Sequence, residues 1–448
     1  MPTRGRLVHV NSSVESSDVS SPTATPFCCG CTTTCSTAVF RRRSIAIRVV
    51  VTADNHLGRY YDKMFPQRLE ERRAWLRRGF AAAVNYALER RAHLFLQLGD
   101  LFDSAEPRNL ERQFVAEQLA RLRDAEVRCL GIGGNHDTPR TRNGQAPATA
   151  QGSFARLGGL RLLGDRLTET DGGLRGSESP ALGSIDTELL EIDGVRVAVG
   201  GIPFDPTARA GSDPLDGSEW RPEADVALLL LHGNLEGHVY PGVSEPVIRC
   251  RTVEELEGVD YLLVGHVHRF AAFRWGDKMV VVPGATERMT FGEMESRPGF
   301  VYMEVEPGRV PALQQVAVEC QPREQLDIAT SELGDDPAET VKVRMEAICR
   351  RDALVRVSLQ GPITRRRYHD LNPREIAEYG ASRSFFCDLD TTGLYVEDER
   401  QPSTVRGGRL SQRDELIRYA REEWEAAPSQ KERDLIDEAV AAILEEYG

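Results

Sequence analysis

The sequence predicts an α/β protein with mixed β-sheets flanked by helices, followed by a small α+β domain and C-terminal helices. Three observations carry that expectation. From Ile45 to about residue 320, apolar runs of strand length alternate with stretches of helical length, the pattern of a layered α/β fold. Several later runs are joined by tight turns such as Asp193-Gly194 and Gly276-Asp277, which suit antiparallel hairpins and make the sheets mixed. The length of 448 residues exceeds one ordinary domain and leaves room for two or three.

Residues 1–44 are rich in Ser and Thr and end in Arg41-Arg42-Arg43. They read as a disordered N-terminal extension or as the product of an upstream start codon. A secretory or twin-arginine signal needs an apolar stretch and then a cleavage site; here the stretch after the arginines runs straight into Asp54, which the chemistry below requires. Cys28, Cys29, Cys31 and Cys35 lack the second ligand pair of a zinc clip.

Residues 45–320 form the first predicted domain. Its strands are Ile45–Thr52, Leu94–Leu98, Val127–Ile132, Val226–Leu231 and Tyr261–Val264, with helices over Gln67–Arg91 and Asn109–Asp124. Ile185–Ile192, Val195–Val199, Met279–Val282 and Phe300–Val305 read as hairpin strands. Residues 321–400 supply a helix over Pro337–Arg351, a strand over Leu354–Leu359, a break at Gln360-Gly361-Pro362 and a strand near Phe385–Leu389, enough for a small α+β cap. Residues 401–410 read as a linker. In 411–448, Ser411 and Ser429 each precede an acid three residues on, which starts a helix. Leu416, Ala420 and Trp424 share one face, and Ile436, Val440, Ile443, Leu444 and Tyr447 share another. Those faces are covered by the body of the protein, by each other or by another subunit.

Composition narrows the function. A net charge of −13 argues against holding nucleic acid by bulk positive charge, so contact with phosphate must come through metal or local arginines. Only Lys63, Lys278, Lys342 and Lys431 are lysines; a GC-rich genome explains that bias more simply than phosphate binding. No run approaches the roughly 18 apolar residues of a membrane helix, so no membrane partner is expected. Cys129, Cys250, Cys320, Cys349 and Cys387 are scattered singly, as in a reducing, cytoplasmic setting.

Five short segments hold the unusual chemistry: Asp54-Asn55-His56, Gly99 to Asp103, Gly134-Asn135-His136-Asp137, His232-Gly233-Asn234 and Gly265-His266-Val267-His268. Each follows a predicted strand, and loops at strand carboxyl ends converge in α/β sheets. Carboxylate, imidazole and amide oxygen suit Mn, Fe or Zn, and a carboxylate such as Asp100 can bridge two ions. Taken singly, Asp-x-His reads equally as a turn pair and Gly-Asp as a helix cap; five segments in this order, each at a strand end, point to one centre.

In these residues the chain resembles the calcineurin-like metallophosphoesterase superfamily, and within it the bacterial SbcD family of DNA repair nuclease subunits. Ala53-Asp54-Asn55-His56-Leu57-Gly58, Gly99-Asp-Leu-Phe-Asp103, Gly134-Asn-His-Asp137 and Pro283 to Arg288 carry the resemblance. It implies the layered metallophosphoesterase fold and two divalent ions, with manganese expected. Asp54, His56, Asp100 and His268 would hold one ion; Asp100, Asn135, His232 and His266 the other. His136 would be the general acid, oriented by Asp137, and Arg288 and the loop Pro139–Asn143 would contact phosphate. Relatives outside the bacteria tend to carry histidine where this chain has Asp103, so a second catalytic imidazole is not expected. The resemblance further implies DNA as substrate in double-strand-break or hairpin processing, an SbcC-like coiled-coil ATPase docked on the C-terminal helices, and a homodimer within a heterotetramer.

Two rivals remain. A phosphodiesterase for small nucleotides or lipid precursors would share the metal motifs but needs no cap or docking helices. A non-catalytic scaffold would not need every ligand position intact. The Val-Asp-Arg-Gly element of the family's protein phosphatases does not occur.

Overall fold

The computed structural model describes residues 46–139, 149–164, 185–238 and 245–396, the backbone of 167–170 and 173–176, and singly Trp424, Arg433, Ile436 and Val440. The predicted extension (1–44), the linker (401–410), all but those four residues of 411–448, and residues 140–143 of the arginine loop lie outside the described residues.

Two six-stranded mixed sheets form the body. The first runs in the order Ala312–Ala317, Gly299–Val305, Ile47–Thr52, Leu94–Leu98, Arg128–Ile132, Arg161–Leu162. Its middle is parallel, with Val51 opposite Leu96 and Leu96 opposite Leu130, while Gly299–Val305 joins antiparallel with Met303 opposite Val49. The second runs Ala271–Trp275, Lys278–Val282, Tyr261–Gly265, Val226–His232, Val195–Ile202, Asp186–Ile192. Its four inner strands are parallel, and each outer pair is an antiparallel hairpin about one of the two expected turns.

Side-chain alternation stacks the layers. Val49, Val51, Leu94, Leu96 and Leu98 join Val199, Leu228, Leu230, Leu263 and Val281 in one buried cluster between the sheets. Val50 and Phe95 turn the other way, onto Leu76, Phe80 and Val84 of helix Pro66–Glu89 and Leu119 and Leu122 of helix Asn109–Asp124. Leu229, Leu262 and Val280 face outward beneath Trp220 and Val253, the latter on the short helix Cys250–Glu255. Strands buried on both faces require unbroken apolar runs, which explains Val49-Val50-Val51 and Leu228 to Leu231.

From Arg323 to Val396 the chain forms a three-stranded sheet in the order Arg323–Ala329, Leu354–Ile363, Phe386–Val396. All its strands are parallel, joined through helix Pro337–Glu346 and then through helices Arg365–Leu371 and Pro373–Arg383. Val355, Val357 and Leu359 pack with Val341, Met345, Leu371 and Ile376 of those helices. The expected break at Gln360-Gly361-Pro362 is corrected: the strand continues to Ile363, with a register shift between Ser358 and Gln360 and Gly361 at φ 115°. Arg323–Ala329 pairs only as far as Gln360, so Pro362 lies where the strand has a neighbour on one side only, the kind of edge position where proline is found in sheets. The helix expected over Pro337–Arg351 ends at Glu346. In the tail, the Arg433 guanidinium lies 4.8 Å over the Trp424 ring.

Candidate metal centre

The five motif segments lie at the carboxyl ends of Ile47–Thr52, Leu94–Leu98 and Arg128–Ile132 in one sheet and of Val226–His232 and Tyr261–Gly265 in the other. Both sheets therefore aim their loops at one place. Asp54, His56, Asp100 and His266 all have positive φ (50°, 45°, 52° and 94°). Side chains other than glycine seldom adopt that region, and such strain gathers at functional sites. Tertiary contacts hold it in place here: Asp54 N–H donates to Gly99 O, His56 N–H to Asp100 O, and His266 N–H to both Asp54 carboxylate oxygens at 3.0 and 3.1 Å. Gly134 is required for close approach, because a Cβ there would land on the Asp100 carboxylate.

Donor atoms of Asp54, His56 and His268 lie within 4.8 Å of one another, as do those of Asp100, His232 and His266. The His56 and His268 Nε2 atoms face each other at 3.2 Å. Asp100 Oδ2 stands between the groups, 3.6 Å from His56 Nε2 and 3.5 Å from His232 Nε2. Asn135 Oδ1 lies 2.9 Å from His232 Nε2 and 3.2 Å from His266 Nδ1. Ring nitrogens, carboxylates and one amide oxygen pointing at each other in a buried cleft are what a pair of divalent cations would satisfy, so the donor set fits two ions sharing Asp100.

The charges agree. Against the effect of burial, His232 and His56 hold the Asp100 carboxyl well below its usual range. Burial opposes charge on His232 too, yet Asp100 raises its imidazole to about 9, so a cation bound there would have to displace that proton. Burial lowers His56, with Asp103 and Asp100 pulling the other way; a neutral imidazole is the form that binds metal.

Each imidazole is held from behind. The second nitrogen of a metal-binding histidine usually meets a carboxylate or carbonyl that fixes ring and tautomer. His56 Nδ1 donates to Asp103 Oδ1 at 3.1 Å, His232 Nδ1 to Leu98 O at 2.7 Å and His268 Nδ1 to Glu293 Oε1 at 3.2 Å; His266 Nε2 lies 3.1 Å from Glu245 Oε2. The sequence reading missed Glu245 and Glu293, which sit in no motif, and left Asp103 without a role.

His136 is more exposed than the other histidines here, at 38% of its side chain. Its Nδ1 lies 3.1 Å from Asp103 O, and the backbone carbonyl therefore fixes the ring. The expected orienting role of Asp137 is corrected. Asp137 is buried and its carboxylate accepts from Leu101, Phe102 and Gly134 N–H at 2.9–3.2 Å, bracing two motif loops together. Burial and the nearby Asp100 raise its pKa to about 6. His136 also lies within 4.8 Å of donors on His56 and Asp100, so a ligand role for it is geometrically open. The Arg288 guanidinium donates to Ser296 O at 3.1 Å and contacts Cys320 Sγ at 3.2 Å, partners outside the ligand cluster.

The calcineurin-like phosphoesterase family model matches residues 47–270, half of the chain. The DNA double-strand break repair protein Mre11 of Methanosarcina mazei is 25% identical over 257 residues, covering 56% of this chain and 35% of that protein. The protein of the same name from Saccharolobus solfataricus is 23% identical over 295 residues, covering 65% and 68%; that of Methanopyrus kandleri is 26% identical over 285 residues, covering 61% and 57%. The chain thus spans from about a third to about two thirds of the length of these relatives. A solved dimetal phosphatase from Danio rerio aligns at 11% identity and TM-score 0.37 over 60% of this chain and 96% of that one, a likeness too slight to carry weight. Among the described residues no helix is long and apolar enough to cross a membrane. The match spans all five loops that converge on Asp100, from Asp54 to His268; the chain belongs to the calcineurin-like phosphoesterase family.

Proposed function

We propose that the chain is a metal-dependent DNA nuclease subunit that hydrolyses phosphodiester bonds in double-strand-break or hairpin processing, as exonuclease and endonuclease. The observation that carries this reading is the pair of ligand groups joined through Asp100, in a chain whose relatives are named as DNA double-strand break repair proteins. When bound, two divalent ions, manganese by expectation, would activate water and offset charge gathering on the phosphoryl oxygens. Asp54, His56, Asp100 and His268 hold one position and Asp100, Asn135, His232 and His266 the other. His136, its Nδ1 fixed by Asp103 O, keeps Nε2 for delivering a proton to the leaving oxygen. Asp137 positions the loops rather than the proton. Arg288 as a phosphate contact would have to leave Ser296 and Cys320.

Residues 321–400 act as a cap that positions or distorts DNA, and 411–448 dock on an SbcC-like coiled-coil ATPase, with the chain a homodimer within a heterotetramer in the cytoplasm. The test is hydrolysis by purified protein with Mn, comparing double-stranded DNA ends with small nucleotide diesters. Cleavage of DNA ends is expected; activity on small diesters alone would leave the phosphodiesterase reading, and inactivity with every metal the scaffold reading.

A further inference from the structure

We infer that the C-terminal three-stranded sheet positions the His268 imidazole, through Phe291 and Glu293, and so forms part of the support of one metal position. The inference rests on the reading of His268 as a ligand. Glu293 ends the short 3-10 turn Phe291–Glu293. Its Oε1 lies 3.2 Å from His268 Nδ1, while Oε2 accepts the Met289 N–H at 2.8 Å. The turn is held from outside the body. Two guanidinium groups lie over the Phe291 ring, Arg323 at 4.9 Å and Arg356 at 4.6 Å from its centroid.

All three strands of the sheet contribute to this clamp. Arg323 is on the first strand and also donates to Arg288 O at 2.7 Å. Arg356 is on the second and faces Asp388 directly across the ladder on the third, 2.7 Å away. Lys63, in the loop after the Asp54 segment, closes on the other Asp388 oxygen at 2.8 Å. Leu354, two residues from Arg356 and therefore on the same face, packs with Phe385, Met64 and Leu69 of the body, and Phe291 and Tyr61 lie against that cluster. One face of the sheet is thus filled by its own helices, and the other grips the turn that bears Glu293. A planar cation stacked on an aromatic face resists tilting of the ring, and a fixed carboxylate fixes the histidine behind it.

The test is calorimetric titration of Mn2+ into the full chain and four variants. Glu293→Gln keeps the shape of the side chain but removes its charge, and Phe291→Ala removes the stacked ring. Both are expected to weaken one of the two Mn positions about 10–100-fold and leave the other unchanged, and Phe291→Tyr should restore binding. His268→Ala serves as the reference. If it removes one ion while Glu293→Gln and Phe291→Ala bind both as the native chain does, the sheet does not support the metal position and the inference fails alone. If His268→Ala itself binds two ions normally, the ligand assignment fails and takes the inference with it. A fall in thermal stability with unchanged Mn affinity would show that the clamp only holds the sheet to the body, which also overturns it.

Discussion

Asp103 Oδ1 lies 3.1 Å from Nδ1 of His56 and 2.8 Å from the Arg59 guanidinium. The residue that seemed a departure from the family pattern therefore holds a candidate ligand from behind, while its backbone carbonyl holds His136. Asp103→Ala should weaken binding at the His56 position by about 10–100-fold, and Asp103→Asn, which keeps an oxygen acceptor, by less. Calorimetry with Mn2+ checks this; equal losses for the two variants would mean that charge rather than hydrogen bonding is what His56 needs.

Asp100 and His136 should separate binding from chemistry. Asp100→Ala removes the carboxylate between the two histidine groups and should abolish both metal loading and turnover. His136→Ala should load metal normally and lose rate by about 10²–10⁴-fold, the usual weight of a general acid. Native-rate cleavage by His136→Ala, at native metal content, would end its assignment as proton donor.

Gly134→Ala tests the packing behind Asp100. The added methyl meets the Asp100 carboxylate and backbone, and neither can withdraw from a buried loop. A loss of about 1–3 kcal/mol is expected from overpacking, together with weaker Mn binding; thermal unfolding with and without Mn measures both.

Arg72 and Glu287 form a buried ion pair at 2.9 Å, with side chains 0% and 1% exposed. The pair ties helix Pro66–Glu89 to the loop before Arg288. Arg72→Met leaves Glu287 as an uncompensated buried charge and should cost about 3–5 kcal/mol in urea unfolding, while adding Glu287→Gln should recover part of it. Full additivity of the two changes would show that the pair is not coupled.

The residues of the candidate site were easier to read from the sequence than the groups that support them. Asp54, His56, Asp100, Asn135, His232, His266 and His268 were legible because each lies within a few residues of a strand end, and the strands Leu94–Leu98 and Tyr261–Gly265 announce themselves as apolar runs. Glu293 and Glu245 were not legible: each meets its histidine only after the sheets stack, and neither belongs to a motif. The local pattern also misled at Asp137, whose neighbour in sequence is His136 but whose oxygens turn to Leu101, Phe102 and Gly134. Helix Arg365–Leu371 escaped notice because, within RRRYHDL, only Leu371 is buried, which leaves almost no apolar period to read.

Anomalous diffraction at the manganese edge, on crystals grown with Mn2+, tests the two-metal reading most directly. Two peaks are predicted, one among Asp54, His56, Asp100 and His268 and the other among Asp100, Asn135, His232 and His266. A single peak, or one coordinated by His136, would contradict it.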